Sequence, residues 1–425
     1  MQIYDFIGIG FGPANLSVAV ALSEKNMLND NAKIMFVESK ADFVWHGGML
    51  IPEAEMQISF FKDLVTLRNP TSPFTFINYL AENDRLESFA NLKHFFPRRV
   101  EYNDYLKWAA KKFKNYVKYG TKVIKIEPVV AEGSDVVEYL ALHLQNISTQ
   151  EKEIIYAKDI SLATGISKII PEYMRANPDI KISHSDDFLR SLETDFTQRN
   201  SDYKFVVVGS GQSAAEITLH LADEYPNAKV DLYFRNYALK PADETEFVNE
   251  IFDSDTVETF LTFDDDFREA VLENHRNTNY SVVDPKLISI LYERLYYQKL
   301  IGSEQIQLHR FHELQGIDSH SKKAIFEELV DNKTVSFEFD GLFLATGYEI
   351  IATDIVKNFE EYLVYDAEDR LVLDTSYRVK TVNDDFKPKI FIQGASEHSH
   401  GMSETLLSLL AYRSGKIVAR LIDSA

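Results

Sequence analysis

The stretch YDFIGIGFGPANLSVAVAL, residues 4–22, predicts how the chain begins to fold. Its apolar start is typical of a β-strand, a glycine-rich turn follows, and the residues after Pro13 have the apolar pattern of a helix. Gly8 permits a tight turn and Gly10 lets a pyrophosphate approach the backbone, while the helix start supplies N–H groups and a positive dipole end. The stretch therefore predicts a Rossmann-like dinucleotide site.

The turn departs from the usual G-x-G-x-x-G pattern, because Pro13 stands in place of the third glycine and an extra glycine is found at Gly12. Proline is acceptable in the first turn of a helix, where it removes no hydrogen bond. The next apolar run, residues 32–40, contains Glu38 at its end, where an acid can hold ribose hydroxyls. A glycine-rich turn that binds nothing is the alternative, but the combination of strand, turn, helix, strand and acid favours a nucleotide site.

A second turn of this kind occurs in KFVVVGSGQSAAEITLHL, residues 204–221. Gly209 and Gly211 begin a G-x-G-x-x-A pattern that opens a helix. The following strand, KVDLYF, is succeeded by Arg235, where the first motif has an acid. An arginine there suits a 2′-phosphate, so this site is predicted to take NADPH. The alternative is a surface arginine that merely follows a strand.

Two unequal dinucleotide motifs on one chain predict FAD in the first and NADPH in the second. The stretches SLATGISK (161–168) and LFLATGY (342–348) each resemble a buried strand that enters Ala-Thr-Gly, where glycine lets the chain pass close to a cofactor. Thr346 and Gly347 are therefore candidate cofactor contacts, and their strand is expected to return the chain to the first domain. A glycine turn within IFIQGASEHSHGMSETLLSLL (390–410) is expected to close over the flavin ring.

The predicted fold is thus α/β, with two Rossmann-like domains and a substrate site at their interface. Residues 1–170 and 341–425 are predicted to form the FAD-binding domain, and residues 200–340 the NADPH-binding domain.

The composition limits the chemistry and the partners. The 425 residues carry 45 Lys and Arg against 66 Asp and Glu, and the net charge of −21 opposes binding to nucleic acid or anionic lipid. The chain contains no cysteine, which excludes disulfides, thiolate metal sites and thiol redox relays, so redox chemistry requires an organic cofactor. Neither a signal peptide nor an integral membrane segment is expected, and no metal site is expected either. A cytoplasmic enzyme with a small-molecule partner fits this pattern.

Longer motifs connect the chain to a known family. The chain resembles the class B flavin-dependent N-hydroxylating monooxygenases, the L-ornithine and L-lysine N-monooxygenases of siderophore synthesis, and the resemblance covers essentially the whole length. The proline in the first glycine turn matches this family too. The segments that carry the resemblance, besides the first glycine turn, are WHGGMLIPEAEMQISFFKDLVTLRNPTSPFTFINYL (45–80), FFPRRVEYNDYLKWA (95–109), GSGQSAAE (209–216), ALKPADETEFVNEIF (238–252), NTNYSVV (277–283), FLATGY (343–348) and HGMSETLLSLLA (400–411).

The resemblance implies that NADPH reduces FAD, which takes up O2 as a flavin hydroperoxide that hydroxylates an unprotonated amine. It also implies a homo-oligomer, a dimer or a tetramer. Site roles carried over from the family are a substrate site at Lys62, Asn249 and Ser403; residues near the flavin or both cofactors at His46, Gln57 and Arg99; contacts to the NADPH 2′-phosphate at Ser213 and Arg235; and a nicotinamide contact at Asn279. Asn279 and Gln57 are the residues expected at the reacting centre.

Lys62 poses a question that its neighbours alone leave open. It follows Ile58, Phe60 and Phe61, and a lysine beside such apolar surface more often extends its ammonium group to water than binds a ligand. The resemblance favours a role as the clamp for the substrate carboxylate.

The residues around Lys62 look more like those of the ornithine members than of the lysine members, so L-ornithine is the predicted substrate. L-lysine and the diamines putrescine and cadaverine remain alternatives, since one methylene is worth only about 1–3 kcal/mol in a pocket. A pyridine nucleotide–disulfide reductase is excluded because it needs a cysteine pair. A flavin-binding redox sensor without enzymatic activity remains open.

Overall fold

Each glycine turn follows a strand with parallel neighbours, in two separate sheets of the computed structural model, which describes residues 2–29, 31–171, 180–318, 320–349 and 354–423. The strands, in chain order, are β1 (Ile3–Ile9), β2 (Ile34–Val37), β3 (Val117–Lys118), β4 (Thr121–Val130), β5 (Val137–Asn146), β6 (Lys152–Leu162), β7 (Ser167–Lys168), β8 (Ile182–His184), β9 (Lys204–Val208), β10 (Lys229–Phe234), β11 (Lys240–Pro241), β12 (Val282–Val283), β13 (Ile306–Arg310), β14 (His312–Asp318), β15 (Lys323–Glu328), β16 (Lys333–Glu338), β17 (Gly341–Leu344), β18 (Tyr348–Glu349) and β19 (Ile390–Ile392). The α-helices are α1 (Pro13–Glu24), α2 (Phe76–Glu82), α3 (Leu86–Leu92), α4 (Arg99–Lys111), α5 (Phe188–Asp195), α6 (Gln212–Glu224), α7 (Glu246–Asn249), α8 (Ser254–Leu261), α9 (Asp265–Asn274), α10 (Pro285–Ile301), α11 (Glu397–His400) and α12 (Leu410–Ile422).

The first sheet has the strand order β3-β2-β1-β6-β5-β4, and β19 pairs with the end of β6. β1 runs parallel to β2 and β6, whereas β4, β5 and β6 form an antiparallel meander. Helix α1 follows the first glycine turn and is buried along most of its length, which explains its nearly unbroken apolar sequence. It packs against α12, so the carboxyl-terminal helix completes the layer that covers β1.

The second sheet is wholly parallel, in the order β13-β10-β9-β17-β8. Helix α6 packs on β9 and β10, and α10 packs beside α6. The three-stranded antiparallel sheet β14-β15-β16 also packs on this unit, where the ring of Tyr233 stacks on Phe326 with centroids 4.1 Å apart. These are the layers of a doubly wound dinucleotide-binding unit, as the sequence predicts.

The position of β17 differs from the expected domain boundary. β17 pairs with β9, with Leu344 opposite Val208, so the strand that enters the second Ala-Thr-Gly belongs to the second sheet. β8 also lies in this sheet, which therefore draws its strands from residues 182–344 rather than from within 200–340. The expectation that the strand of residues 342–344 lies in the first domain is wrong. In each unit the Ala-Thr-Gly follows a strand beside the strand of the glycine turn, so the motif does not by itself mark the return of the chain.

The two connections between the units run side by side. β7, just after the first Ala-Thr-Gly, pairs antiparallel with β18, just after the second. Thr346 Oγ1 donates a hydrogen bond to the carbonyl of Ile169 at 2.7 Å, and His184 Nε2 lies 3.0 Å from the carbonyl oxygen of Gly347. The chain thus leaves the first unit and returns to it through one short two-stranded ribbon.

Both glycine turns are pressed against the end of a neighbouring strand. A side chain on Gly10, whose φ is +83°, would place its Cβ 2.3 Å from the carbonyl oxygen of Ala163. A Cβ on Gly209, with φ +146°, would lie 2.4 Å from the carbonyl oxygen of Ala345. Glycine is required at both positions because neither the backbone conformation nor the space admits a side chain.

We predict that Gly10→Ala destabilises the protein by more than about 1–3 kcal/mol, because backbone strain and a clash with a carbonyl act together. The matched control is Gly12→Ala, since Gly12 has negative φ and a Cβ added there would meet no atom within 4 Å. Urea unfolding of both cofactor-free variants, followed by circular dichroism, measures the difference. Equal stability of the two variants would contradict this explanation of the turn.

Candidate functional site

A cavity of about 750 Å³ opens at the carboxyl ends of β1, β2 and β6, the edge where parallel sheets bind ligands. Five of the residues predicted for the first cofactor line it: Gly10, Gly12, Pro13, Glu38 and His46. Other parts of the lining are the first Ala-Thr-Gly and the segments after β19. The cavity residues outside the predicted set include Lys40, Trp45, Ala163–Lys168, Gln393, Gly394, Glu404–Leu407 and Arg413.

The adenosine end of a dinucleotide fits this lining. Glu38 is 9 % exposed at the end of β2, and its two oxygens accept hydrogen bonds from the backbone N–H groups of Phe11 at 2.7 Å and Lys40 at 2.8 Å. The Ser39 Oγ donates a third hydrogen bond to Oε1 at 3.2 Å. A carboxylate has about four lone-pair sites, so Glu38 retains capacity for a ribose hydroxyl. No side chain caps the start of α1 at Gly12, which leaves its first N–H groups for a phosphate. The residues present therefore fit FAD.

His46 reaches the cavity from the WHGG loop in a left-handed conformation, with φ +50°. Burial lowers the pKa of His46 to about 4, and the Arg99 cation adds to this effect. The imidazole is therefore neutral at pH 7. The nearby Gly48 is pressed on the second unit, since its Cβ would lie 1.9 Å from the carbonyl oxygen of Asp186.

Arg99 joins the two units through a buried ion pair. Its Nη1 and Nη2 donate hydrogen bonds to the two carboxylate oxygens of Glu216, on α6, at 2.9 and 2.8 Å. Nη1 also donates to the carbonyl of Met49 at 2.8 Å. The side chains of Arg99 and Glu216 are 12 % and 4 % exposed. The structure thus places Arg99 beside His46 and against the helix that opens the second nucleotide motif.

The second motif presents a helix start without a side-chain cap. Gly211 is the N-cap of α6 and Ser213 lies in its first turn. Arg235 follows β10 directly, and 71 % of its side chain is exposed. Its Nη1 lies 3.2 Å from Glu313 Oε1, so a 2′-phosphate there would compete with this carboxylate for the guanidinium group.

The predicted substrate residues come from three separate segments that meet. Lys62 is 24 % exposed, and its Nζ lies 4.0 Å from Oδ1 of Asp253, at the outer limit of an ion pair. Asn249 ends α7, and the 3₁₀ helix Glu250–Phe252 that follows packs against the 3₁₀ helix that contains Ser403. Asn249 Nδ2 donates a hydrogen bond to the Glu244 carbonyl, and Ser403 is buried.

Asn279 lies in a segment that docks on the same part of the first unit. The preceding Thr278 Oγ1 contacts Met402 Sδ at 2.9 Å, and Tyr280 donates a hydrogen bond to Glu397 Oε2 at 2.5 Å. Gln57 is exposed at the surface. Neither Gln57 nor Asn279 lines the 750 Å³ cavity.

The second Ala-Thr-Gly is the one that the sequence predicts as a cofactor contact, but the cavity is lined by the first. Thr164 and Gly165 belong to the lining, whereas Thr346 and Gly347 lie beyond the end of β17. The signal that separates them is order along the chain, since the first Ala-Thr-Gly follows the strand that pairs with β1. A cofactor contact at Thr346 or Gly347 stays a prediction.

Neither a membrane span nor a metal cluster is found in the described ranges. Among them no helix has the length and apolar character needed to cross a bilayer. Within the same ranges no three His, Asp or Glu side chains are grouped so as to hold a metal ion.

Comparison with known proteins finds relatives that match this chain over nearly its whole length. A family model described as L-lysine 6-monooxygenase/L-ornithine 5-monooxygenase matches residues 2–350. The L-ornithine N(5)-oxygenase of Arthrobotrys oligospora is 39 % identical over 98 % of this chain and 88 % of its own. Ornithine hydroxylase PvdA of Pseudomonas aeruginosa superposes with a TM-score of 0.91 at 35 % identity, over 99 % of both chains. An ornithine N-hydroxylase of Kutzneria sp. 744, in a structure with reduced FAD, NADP+ and L-ornithine, superposes with a TM-score of 0.91 at 36 % identity, over 99 % of both chains.

Enzymes for other amines are similar but more distant. The cadaverine monooxygenase DfoA of Erwinia amylovora is 26 % identical with a TM-score of 0.84, over 100 % of this chain and 95 % of its own. The L-lysine 6-monooxygenase of Pseudomonas syringae is 27 % identical with a TM-score of 0.84, over 99 % and 100 %.

We predict that Arg99→Met destabilises the protein by about 3–5 kcal/mol, because it leaves the buried Glu216 carboxylate without its cation. The double variant Arg99→Met/Glu216→Leu is expected to recover part of this loss, since no uncompensated charge remains. A double-mutant cycle with Glu216→Leu, measured by urea unfolding, gives the coupling energy. Additive single effects would show that the two side chains do not stabilise each other.

Proposed function

The chain belongs to the L-lysine 6-monooxygenase/L-ornithine 5-monooxygenase family, and from this membership we propose that it hydroxylates the side-chain amine of L-ornithine with NADPH and O2, using FAD. The observation that carries the choice of ornithine is the similarity, at 35–39 % identity over nearly the whole chain, to enzymes named for that substrate. The product is an N-hydroxylated ornithine for siderophore biosynthesis. Hydroxylation of L-lysine or of a diamine by the same chemistry is the alternative.

The 750 Å³ cavity would hold FAD, which when bound supplies the chemistry of hydride acceptance and O2 activation. The chain contributes placement. Glu38 binds the ribose hydroxyls of the adenosine, the uncapped start of α1 binds the pyrophosphate, and the neutral His46 faces the cofactor without adding charge. Arg99 holds the WHGG loop against α6, so the cavity and the second nucleotide motif keep a fixed separation.

NADPH is assigned to the second unit. The start of α6 after Gly209 and Gly211 binds the pyrophosphate, while Ser213 and Arg235 bind the 2′-phosphate. Asn279 is assigned to contact the nicotinamide. The neighbouring Thr278 contacts Met402 and so holds the segment that contains Asn279 against the first unit. A nicotinamide held there would help to exclude water from the flavin ring.

The amino-acid end of ornithine is assigned to the interface where Lys62 lies. Lys62 is only 24 % exposed, and the carboxylate of Asp253, which is 60 % exposed, lies 4.0 Å away from its Nζ. A substrate carboxylate that makes a closer contact would therefore displace Asp253. Asn249 completes the amino-acid end, Ser403 lies toward the amine that reacts, and Gln57 lies near the flavin in this proposal.

The assembly and its cellular place belong to the same proposal. We expect a homo-oligomer, a dimer or a tetramer, located in the cytoplasm. Light scattering of the purified holoenzyme tests the assembly, and a monomer at micromolar concentration would contradict it.

The first functional prediction is a strong preference for NADPH over NADH. Arg235→Ala removes a cation from the 2′-phosphate, so we expect KM for NADPH to rise at least about ten-fold while KM for NADH changes little. Arg294→Ala on α10 is the matched control, because it removes an arginine that pairs with Asp223 in the same unit. Equal efficiency of NADPH and NADH with the unmodified protein would contradict the assignment.

The second functional prediction concerns substrate choice. NADPH oxidation and hydroxylamine formation are measured with L-ornithine, L-lysine, putrescine and cadaverine, for the unmodified protein and for Lys62→Ala. We expect ornithine to be the best substrate. Lys62→Ala should weaken it by about 2–5 kcal/mol in kcat/KM, because its carboxylate loses a partly desolvated partner.

Turnover of putrescine, which has no carboxylate, should change far less in Lys62→Ala. Lys107→Ala is the charge-matched control, since Lys107 is exposed on α4. If putrescine is the better substrate of the unmodified protein, the carboxylate clamp and the ornithine assignment are both wrong. If no amine stimulates NADPH oxidation, the proposed monooxygenase activity is wrong.

A further inference from the structure

Three buried polar side chains form a network behind the first glycine turn. Asn15 on α1, Ser161 on β6 and Gln393 after β19 are 0 %, 0 % and 3 % exposed. Their segments are far apart in the chain but adjacent at the carboxyl ends of β1, β6 and β19. Gln393 also lines the 750 Å³ cavity.

The direction of each hydrogen bond in this network follows from the backbone. Asn15 Nδ2 faces the carbonyl oxygens of Gly10 at 2.7 Å and Ile9 at 3.3 Å. Carbonyl oxygens only accept, so the amide nitrogen of Asn15 must face them and Oδ1 must face the opposite way. Oδ1 accepts from Ser161 Oγ at 3.0 Å and from Gln393 Nε2 at 2.9 Å.

The same reasoning orients the amide of Gln393. Its nitrogen is the atom that faces Asn15 Oδ1, and it also donates to Ser161 Oγ at 2.8 Å. Both hydrogens of Nε2 are thereby used, and Oε1 is left facing away from the network. Gln393 Oε1 is buried and has no hydrogen-bond partner among the described residues. A buried acceptor without a partner is uncommon and indicates a donor that the protein itself does not supply.

We propose that Gln393 Oε1 is a binding site for a hydrogen-bond donor on the flavin half of FAD, either a ribityl hydroxyl or the ring N3–H. The proposal rests on the assignment of FAD to this cavity. Glu38 serves the adenosine end, and Gln393 lies with Gly394 beside the carboxyl-terminal segment 404–407 in another part of the lining. The network makes this acceptor rigid, because its orientation is set by carbonyls of β1 and the glycine turn.

The protein arm of the test is FAD binding to the apoprotein, measured by quenching of flavin fluorescence, together with the absorption spectrum of the bound flavin. Gln393→Met keeps the length of the side chain and removes the acceptor. We expect its Kd for FAD to rise about ten-fold, with a shifted flavin spectrum. Thr218→Ala on α6 is the matched control, since it also removes a buried polar group but lies outside the cavity and the network; its Kd for FAD should change less than about two-fold.

The ligand arm uses the unmodified protein and so does not depend on the folding of a variant. FAD is compared with 3-methyl-FAD and with FAD analogues that lack the 2′-, 3′- or 4′-hydroxyl of the ribityl chain. One analogue should bind to the unmodified protein about ten-fold more weakly than FAD does. The same analogue and FAD should bind to Gln393→Met with equal affinity, and the group that this analogue lacks or blocks is then the donor.

Unchanged FAD affinity and spectrum in Gln393→Met would overturn the proposal. So would analogue losses that are the same in both proteins, because then no donor is coupled to Gln393. An unmodified apoprotein that binds no FAD would instead refute the proposed function, which keeps the two failures distinct.

Discussion

The carbonyl oxygen of Ala163 occupies the space that a side chain on Gly10 would need, and the carbonyl oxygen of Ala345 does the same at Gly209. In each unit, the residue that follows one parallel strand is therefore packed against the glycine turn that follows the neighbouring strand. The turn then directs the start of α1 or α6, with its free N–H groups, toward the carboxyl edge of the sheet. Both nucleotide sites depend on this constraint, since a wider turn would move the helix start away from the phosphates.

Contacts of different chemistry at three places hold the two units together. The ribbon of β7 and β18 carries both chain crossings, and the Arg99–Glu216 pair links the WHGG loop to α6. Segments between β10 and α10 add a third contact, where Thr278 meets Met402. The predicted substrate residues lie near this third contact. At this third contact, a segment of the second unit docks on the carboxyl-terminal part of the first unit.

The sequence was informative where function depends on local pattern. Both glycine turns and Glu38 follow from motifs of a few residues, whereas the position of His46 near the flavin is implied by the family resemblance. The structure places Gly10, Gly12, Glu38 and His46 in the lining of the cavity. The network of Asn15, Ser161 and Gln393 was missed because its hydrogen bonds join residues 146 to 378 positions apart. The assignment of β17 to the first domain was wrong because both Ala-Thr-Gly motifs follow an apolar strand, and the local sequence does not show to which sheet that strand belongs.

The two nucleotides and the amino acid are assigned to separate sites on the two units, and everything else proposed for the protein depends on this separation. A crystal structure of the protein with FAD, NADP+ and L-ornithine measures it directly. We expect FAD hydroxyls within hydrogen-bond distance of Glu38, the 2′-phosphate of NADP+ at Arg235 and the ornithine carboxylate at Lys62. FAD bound at the second glycine turn, or an ornithine carboxylate remote from Lys62, would contradict the assignment.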